Sequence, residues 1–300
     1  MQKILVTTDF STASKPGMRF AIQLATQMEV ELVFFHLFQA LIPTTVHRNR
    51  IERALQEQGI AQQKKLEQFV DQMYTSMQVE AAVHRCVALE CLYADSCIEA
   101  YAQQNGFQFI CMSTHGAGVM RQIIGTQTGR VLQRSSVPVL VVQHTYRVQP
   151  IQEILYASDL ENFDPEMATV SAFAEVMQVK IDLAHFYYPG EISLDLDTLT
   201  RMWRMKYPQL GQIHLEQHDL DRGFSDKLDE LAKKTEPSII VFFAHAQKTW
   251  FDQWFGASVS ESVSYMTRVP MLVYRKVNVP FEGTNGKHTE TVQQGALGAV

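Results

Sequence analysis

Short apolar runs recur along the chain, each long enough for a β-strand, and segments of helical spacing lie between them. In the first half this pattern predicts strands over 3–8, 31–37, 78–87, 107–113 and 138–143. The helices expected between them cover 12–28, about 47–75, 89–105 and 126–135. The second half repeats the alternation, with strands over about 153–158, 180–186, 212–217, 238–244 and 270–275. Runs such as FQFICM and VPVLVV are apolar at nearly every position, as parallel strands buried on both faces must be. Strand and helix in strict alternation, joined by right-handed crossovers, give the α/β class with doubly wound, five-stranded parallel sheets.

The two halves echo each other residue by residue. KILVTTDF, closed by Asp9, returns as EILYASDL, closed by Asp159; ELVFFHLF around His36 returns as KIDLAHFY around His185. GFQFICMSTHG returns as EPSIIVFFAHA, and SSVPVLVV around Pro138 returns as TRVPMLVY around Pro270. A repeat this long is two domains of one fold, since solenoid units run about 20–50 residues. The expected division is 1–146 for the first domain and 151–278 for the second, with a polar tail over 279–300 too poor in apolar residues to pack. VPVLVV and VPMLVY each end a domain and are too apolar to leave bare, so they are expected to lie together.

Charge changes this picture mainly by exclusion. The net charge is -6 with both signs dispersed, and no basic stripe is present that could neutralise a nucleic-acid backbone. No apolar stretch approaches 18 residues, so no membrane span is expected, and the chain is expected to act in the cytoplasm. All four cysteines lie in the first half, and Cys91 and Cys97, read as six apart within one helix, fall about 120° apart around its axis. They are therefore expected to be reduced thiols. His214 and His218 are four apart in a strand-like segment, where that spacing spans about 13 Å and does not make a metal pair.

In a doubly wound sheet a ligand binds beyond the carboxyl ends of the strands, at the switch point. The residues expected there are Asp9 after the first strand, His36 and Leu37 at the end of the second, and the loop STHGAGVMRQIIGT from Ser113 to Thr126. Glycine matters in such a loop because a residue without Cβ lets backbone N–H groups close on phosphate oxygens, and Gly125-Thr126 opens a helix whose N-terminus favours an anion. His36, His115, His185 and His245 all stand at strand ends, a repeated position that reads as structural; no serine or cysteine nucleophile pairs with them. No P-loop, SGGxDS loop or HIGH motif occurs, so no enzyme activity is expected.

ILVTTDFS, the second-strand histidine, STHG, the Gly-Thr before the last helix and VPVLVV together resemble a universal stress protein domain over nearly all of residues 1–144. The second half resembles the same family more faintly, so the chain looks like a tandem member with an adenine nucleotide alpha hydrolase-like fold. The resemblance implies a stress-response protein that holds ATP or AMP, with or without Mg2+, as a sensor or regulator. It places Asp9 on the adenosine, the backbone near Leu37 on the adenine, and His115, Gly116, Gly125, Thr126 and Gln127 around the ribose and phosphates. Thr7 stands where the family often has proline at the base pocket. It also implies domains that pair through their last strands, within one chain or in a homodimer.

The chain departs from the family's nucleotide loop, which runs Gly, two residues, Gly, nine residues, Gly, then Ser or Thr. Ser113 takes the first glycine's place and only eight residues separate Gly116 from Gly125. The second half departs further: Ala244-His245-Ala246 lacks both glycines, and Trp250, Phe251, Trp254 and Phe255 crowd the loop. Nucleotide is accordingly expected in the first half alone. The alternative is a universal stress protein that binds no nucleotide and works through protein contacts or another small molecule.

Overall fold

The structure is a computed structural model that describes residues 1–40, 48–114, 126–187, 196–217, 224–244 and 268–276. The first half contributes β1 (Gln2–Thr7), α1 (Lys15–Ala25), β2 (Val30–Phe38), α2 (Arg48–Met77), β3 (His84–Glu90), α3 (Ala94–Gln104), β4 (Phe109–Ser113), α4 (Thr126–Arg134) and β5 (Val139–Val142). The second contributes β6 (Glu153–Ala157), α5 (Phe163–Met177), β7 (Lys180–Tyr187), α6 (Leu196–Lys206), β8 (Leu210–Gln217), α7 (Phe224–Thr235), β9 (Ile239–Ala244) and β10 (Met271–Arg275).

The ten described strands form one sheet in the order β3-β2-β1-β4-β5-β10-β9-β6-β7-β8. Every neighbouring pair is parallel except β5 with β10, which meet antiparallel in a register that sets Leu140 opposite Leu272. Two doubly wound sheets of five thus join through their last strands, and each half shows the switch point where β1 parts β2 from β4 and β6 parts β7 from β9.

Period-two alternation sorts the strand side chains to two cores. Ile4, Val6, Phe34 and Tyr156 face one, covered by α1, α2 and α5; Leu5, Phe35, Leu155 and Phe242 face the other, covered by α3, α4 and α7. Both cores run across the junction of the halves, as the edge-to-face contact of Phe109 with Phe173 at 5.6 Å illustrates. Each fully buried side chain of this size contributes about 1.5–3 kcal/mol, so the junction is held by packing as well as by the β5–β10 ladder.

Two elements differ from the sequence reading. The third strand starts at His84, six residues later than expected, because Val79, Ala81 and Val83 continue the same alternation and leave the start open. Pairing with β2, from Leu32 opposite His84 to Phe38 opposite Glu90, fixes it. The following helix starts at Ala94, so Cys91 lies in the loop before it and the helical angle between Cys91 and Cys97 does not apply. The two cysteines form a disulfide, contrary to the expectation of four free thiols, while Cys86 and Cys111 are free. The expected tail, the glycine loop with His115, Gly116 and Gly125, and the histidines His218 and His245 lie outside the described residues, as do Trp250, Phe251, Trp254 and Phe255.

Candidate functional site

The turn after β1 is built from its own side chains. Asp9 accepts a hydrogen bond from the Ser11 amide at 2.9 Å, and the Thr8 hydroxyl accepts one from the Phe10 amide at 3.1 Å. Both bonds close short side-chain turns, and they hold Phe10 at a φ of 66°, the left-handed region that a non-glycine residue enters only under constraint. His36 secures the turn from β2, its Nδ1 sitting 2.8 Å from the Thr8 carbonyl. Burial lowers the imidazole pKa, an effect partly opposed by that carbonyl, so His36 is neutral and donates. Its ring packs on Phe10 at 4.0 Å, and Lys65 from α2 caps the other ring 4.3 Å from its centroid. His36 is thus a strut.

Beside this turn, at the carboxyl ends of β1, β2 and β4, opens a cleft of about 430 Å3. Of the residues expected at the site, Thr7, Asp9, Leu37 and Gln127 line it together. Thr126 starts α4, directly before Gln127, so the first turn of that helix opens beside the cleft. Phe35, Met112 and Ile98 supply apolar wall; Thr8, Ser14, Ser113 and Thr128 supply hydroxyls. Ser113, where the resemblance expects a glycine, ties β4 to α1: its Oγ accepts from the Gly17 amide at 2.7 Å and donates to the Ser14 carbonyl at 2.9 Å. A Cβ at Gly17 would come within 2.8 Å of that oxygen. A glycine there lets the helix backbone reach the serine.

Sequence reasoning missed one whole wall. Ala94 and Ile98 of α3 line the cleft, yet the helix start was read five residues early and nothing pointed to its first turn. The usable signal was small Ala94 followed four residues later by Ile98, one helical face.

The second half copies the turn. Asp159 accepts from the Glu161 amide at 3.1 Å, Ser158 from the Leu160 amide at 3.1 Å, and Leu160 has φ 65°. His185 Nδ1 lies 2.9 Å from the Ser158 carbonyl. The cleft-lining side chains are not copied. Helices α3 and α7 end at Gly106 and Glu236, both at positive φ, which aligns Ala94 with Phe224. The strand histidines align Leu37 with Phe186. Phe186 and Phe224 meet edge to face at 4.9 Å, putting aromatic bulk where the first half has open space. Ala157 replaces Thr7 and removes its hydroxyl.

Asp159 also meets a buried lysine. Lys276, which follows β10 and has only 2% of its side chain exposed, binds the Asp159 carboxylate and reaches Glu161 at 3.2 Å. Behind it Glu166 lies 3.9 Å away and accepts from the buried Tyr156 hydroxyl at 2.5 Å. Burial opposes the lysine charge, but the Asp159 contact and the neighbouring carboxylates outweigh it, and its pKa rises. Burial raises Glu166 as well, with Tyr156 and Lys276 pulling partly the other way. The residue aligned with Lys276 through Pro138 and Pro270 is His144, which is exposed.

Among the described residues no group of three or more His, Cys, Asp or Glu could hold a metal ion. His214 sits on β8 beside Asp182, their nearest atoms 3.5 Å apart. No described helix is long and apolar enough to cross a membrane.

The comparisons with known proteins agree with this architecture. The family described as "Universal stress protein family" matches residues 1–143. No curated protein matches the sequence. Among solved structures, a universal stress protein from Archaeoglobus fulgidus DSM 4304 superposes with a TM-score of 0.62 at 15% identity, covering 92% of this chain and 97% of its own. A functionally unknown protein from Pseudomonas aeruginosa PAO1 gives a TM-score of 0.55 at 14% identity, covering 92% of each chain. At these identities the likeness is one of fold, and it extends through both halves. Residues 1–143 therefore match the universal stress protein family, and the second half is built on the same fold.

Proposed function

We propose that the first half binds one adenine nucleotide, ATP or AMP, in the cleft beside Asp9, and that the protein works as a cytoplasmic stress-response sensor or regulator without catalysing a reaction. The observation that carries this reading is the convergence of Thr7, Asp9, Leu37 and Gln127 on one cleft of about 430 Å3 at the switch point, a volume suited to a small organic ligand. The base lies against the apolar wall near Leu37, the ribose hydroxyls face the Asp9 carboxylate, and the phosphates point toward the first turn of α4, where unpaired N–H groups favour anions. His36 is not among the residues that line the cleft, and its Nδ1 is held by the Thr8 carbonyl, which fits a structural role.

One feature favours a second reading, in which protein contacts carry the function. Leu92 and Tyr93, just before α3, are 67% and 73% exposed. Because β5 and β10 already pair within the chain, a homodimer would use a different surface. Mass spectrometry of small molecules released from the denatured protein, with titration by AMP and ATP, separates the readings. Copurified adenine nucleotide or saturable binding supports the first; no binding up to millimolar nucleotide supports the second.

A further inference from the structure

We propose that Cys91 and Cys97 form a redox-active disulfide that tunes ligand affinity in the first-half cleft and is opened by a low-molecular-weight thiol. The effect on affinity rests on the nucleotide reading above; the redox couple itself does not.

The bridge joins a point fixed on the sheet to the helix turn that walls the cleft. Cys91 donates its amide to the Phe38 carbonyl at the end of β2, 2.9 Å away, and Gln39 holds the Leu92 carbonyl at 3.3 Å. Cys97 lies in the first turn of α3, its amide 3.1 Å from the Tyr93 carbonyl. Ala94 falls between the two cysteines and Ile98 directly after them, and both line the cleft. The disulfide therefore closes a small ring that contains one residue of the cleft wall, Ala94, and ends directly beside another, Ile98.

Both cysteines are partly exposed, so a soluble thiol can reach them. The other two are poor competitors. Burial pushes the Cys86 thiol up to about 12 and also raises that of fully buried Cys111, leaving neither appreciably ionised at neutral pH. The second half supplies an independent comparison. The residue aligned with Cys97 is Lys227, and its ammonium bonds the Gln217 carbonyl at the end of β8. Both halves tether the same helix turn, but the first does so with a bond that electrons can break.

Opening follows ordinary exchange. A thiolate attacks one sulfur, the Cys91–Cys97 bond breaks, and a mixed disulfide forms as the other cysteine leaves as a thiolate and takes a proton. A second small thiol attacks the mixed disulfide, giving two protein thiols and one small-molecule disulfide, a two-electron reduction of the protein. The freed loop no longer holds Ala94 and Ile98 in place, and a ligand must then order that wall itself. Oxidised protein is the tighter binder.

The test equilibrates the full chain in glutathione buffers and follows Cys91 and Cys97 by alkylation and mass spectrometry, with hydrogen exchange over residues 92–98 and AMP titration in both states. Expected are a reversible two-electron couple confined to this pair, faster exchange on reduction, and AMP binding at least about fivefold weaker in the reduced form. Saturating AMP should shift the glutathione midpoint toward the disulfide by the same factor, since coupling is reciprocal. A C91S/C97S variant should behave as reduced protein whatever the buffer. Failure of the pair to oxidise, or identical exchange in both states, overturns the redox element. Equal AMP affinity in both states overturns the tuning. If neither state binds AMP, the nucleotide reading and the tuning fall together, while exchange still decides the redox element.

Discussion

The two halves build the same turn and then use it differently. In both, an aspartate after the first strand folds back on the chain, a left-handed residue follows it, and a histidine from the next strand holds the carbonyl behind it. In the first half that turn borders a cleft of about 430 Å3. In the second, Phe186 and Phe224 pack where the corresponding space would open, and Lys276 binds the aspartate from the other side. The turn belongs to the shared fold, whereas the proposed ligand site depends on a few side chains around it. A fold match alone therefore does not say which half binds.

The largest expected difference concerns Lys276. Lys276→Met leaves Asp159 and Glu166 without their cation and should cost about 3 kcal/mol in urea unfolding. His144→Met, the exposed counterpart, should stay within about 0.5 kcal/mol. Equal effects would show that the ion cluster is not peculiar to the second half. Next comes the tether of the cleft-wall helix: C91S/C97S should cost about 2 kcal/mol relative to the oxidised protein. Lys227→Met, removing the second half's partly exposed equivalent, should cost less than about 1 kcal/mol.

Acid titration gives the smallest effect and sharpens the account of the cluster. Glu166 has a raised folded pKa, so its contribution to stability is present below the unfolded value of about 4.3 and is lost as pH rises through the folded value. Glu166→Gln cannot ionise and escapes that loss. Its stability relative to the unmodified protein should therefore rise between pH 4 and pH 7, by less than the Lys276 effect, and a flat difference would contradict the assignment. Lys276 is raised too, so its contribution is intact below the unfolded value of about 10.4 and is lost only as pH climbs through the folded value.

Much of the fold could be read locally. Apolar runs closed by Asp9 and Asp159 locate β1 and β6, and the shared positions of His36 and His185 mark them as structural, as their bonds to the Thr8 and Ser158 carbonyls bear out. The third strand was placed too early because alternation alone has no punctuation between Val79 and His84; only pairing with β2 supplies it. The cysteine pair was missed for a related reason, since an early helix start put Cys91 on a helical wheel to which it does not belong. Lys276 and the Phe186–Phe224 contact were out of reach because each joins segments distant in sequence. Asp9 and Leu37 were legible from strand ends, whereas the opposite wall, Ala94 and Ile98, required the packing of α3.

On the proposed reading the first half binds because its cleft is open, and the second does not because Phe186 and Phe224 occupy the matching positions. Isothermal titration with AMP, comparing the unmodified chain with a variant carrying both Leu37→Phe and Ala94→Phe, tests it most directly, because that variant puts the second half's aromatic pair into the first. The expected result is one site per chain in the unmodified protein and at least about tenfold weaker binding in the variant, a loss of about 1.4 kcal/mol, with the unfolding transition retained. Two sites per chain, or undiminished binding in the folded variant, would contradict it.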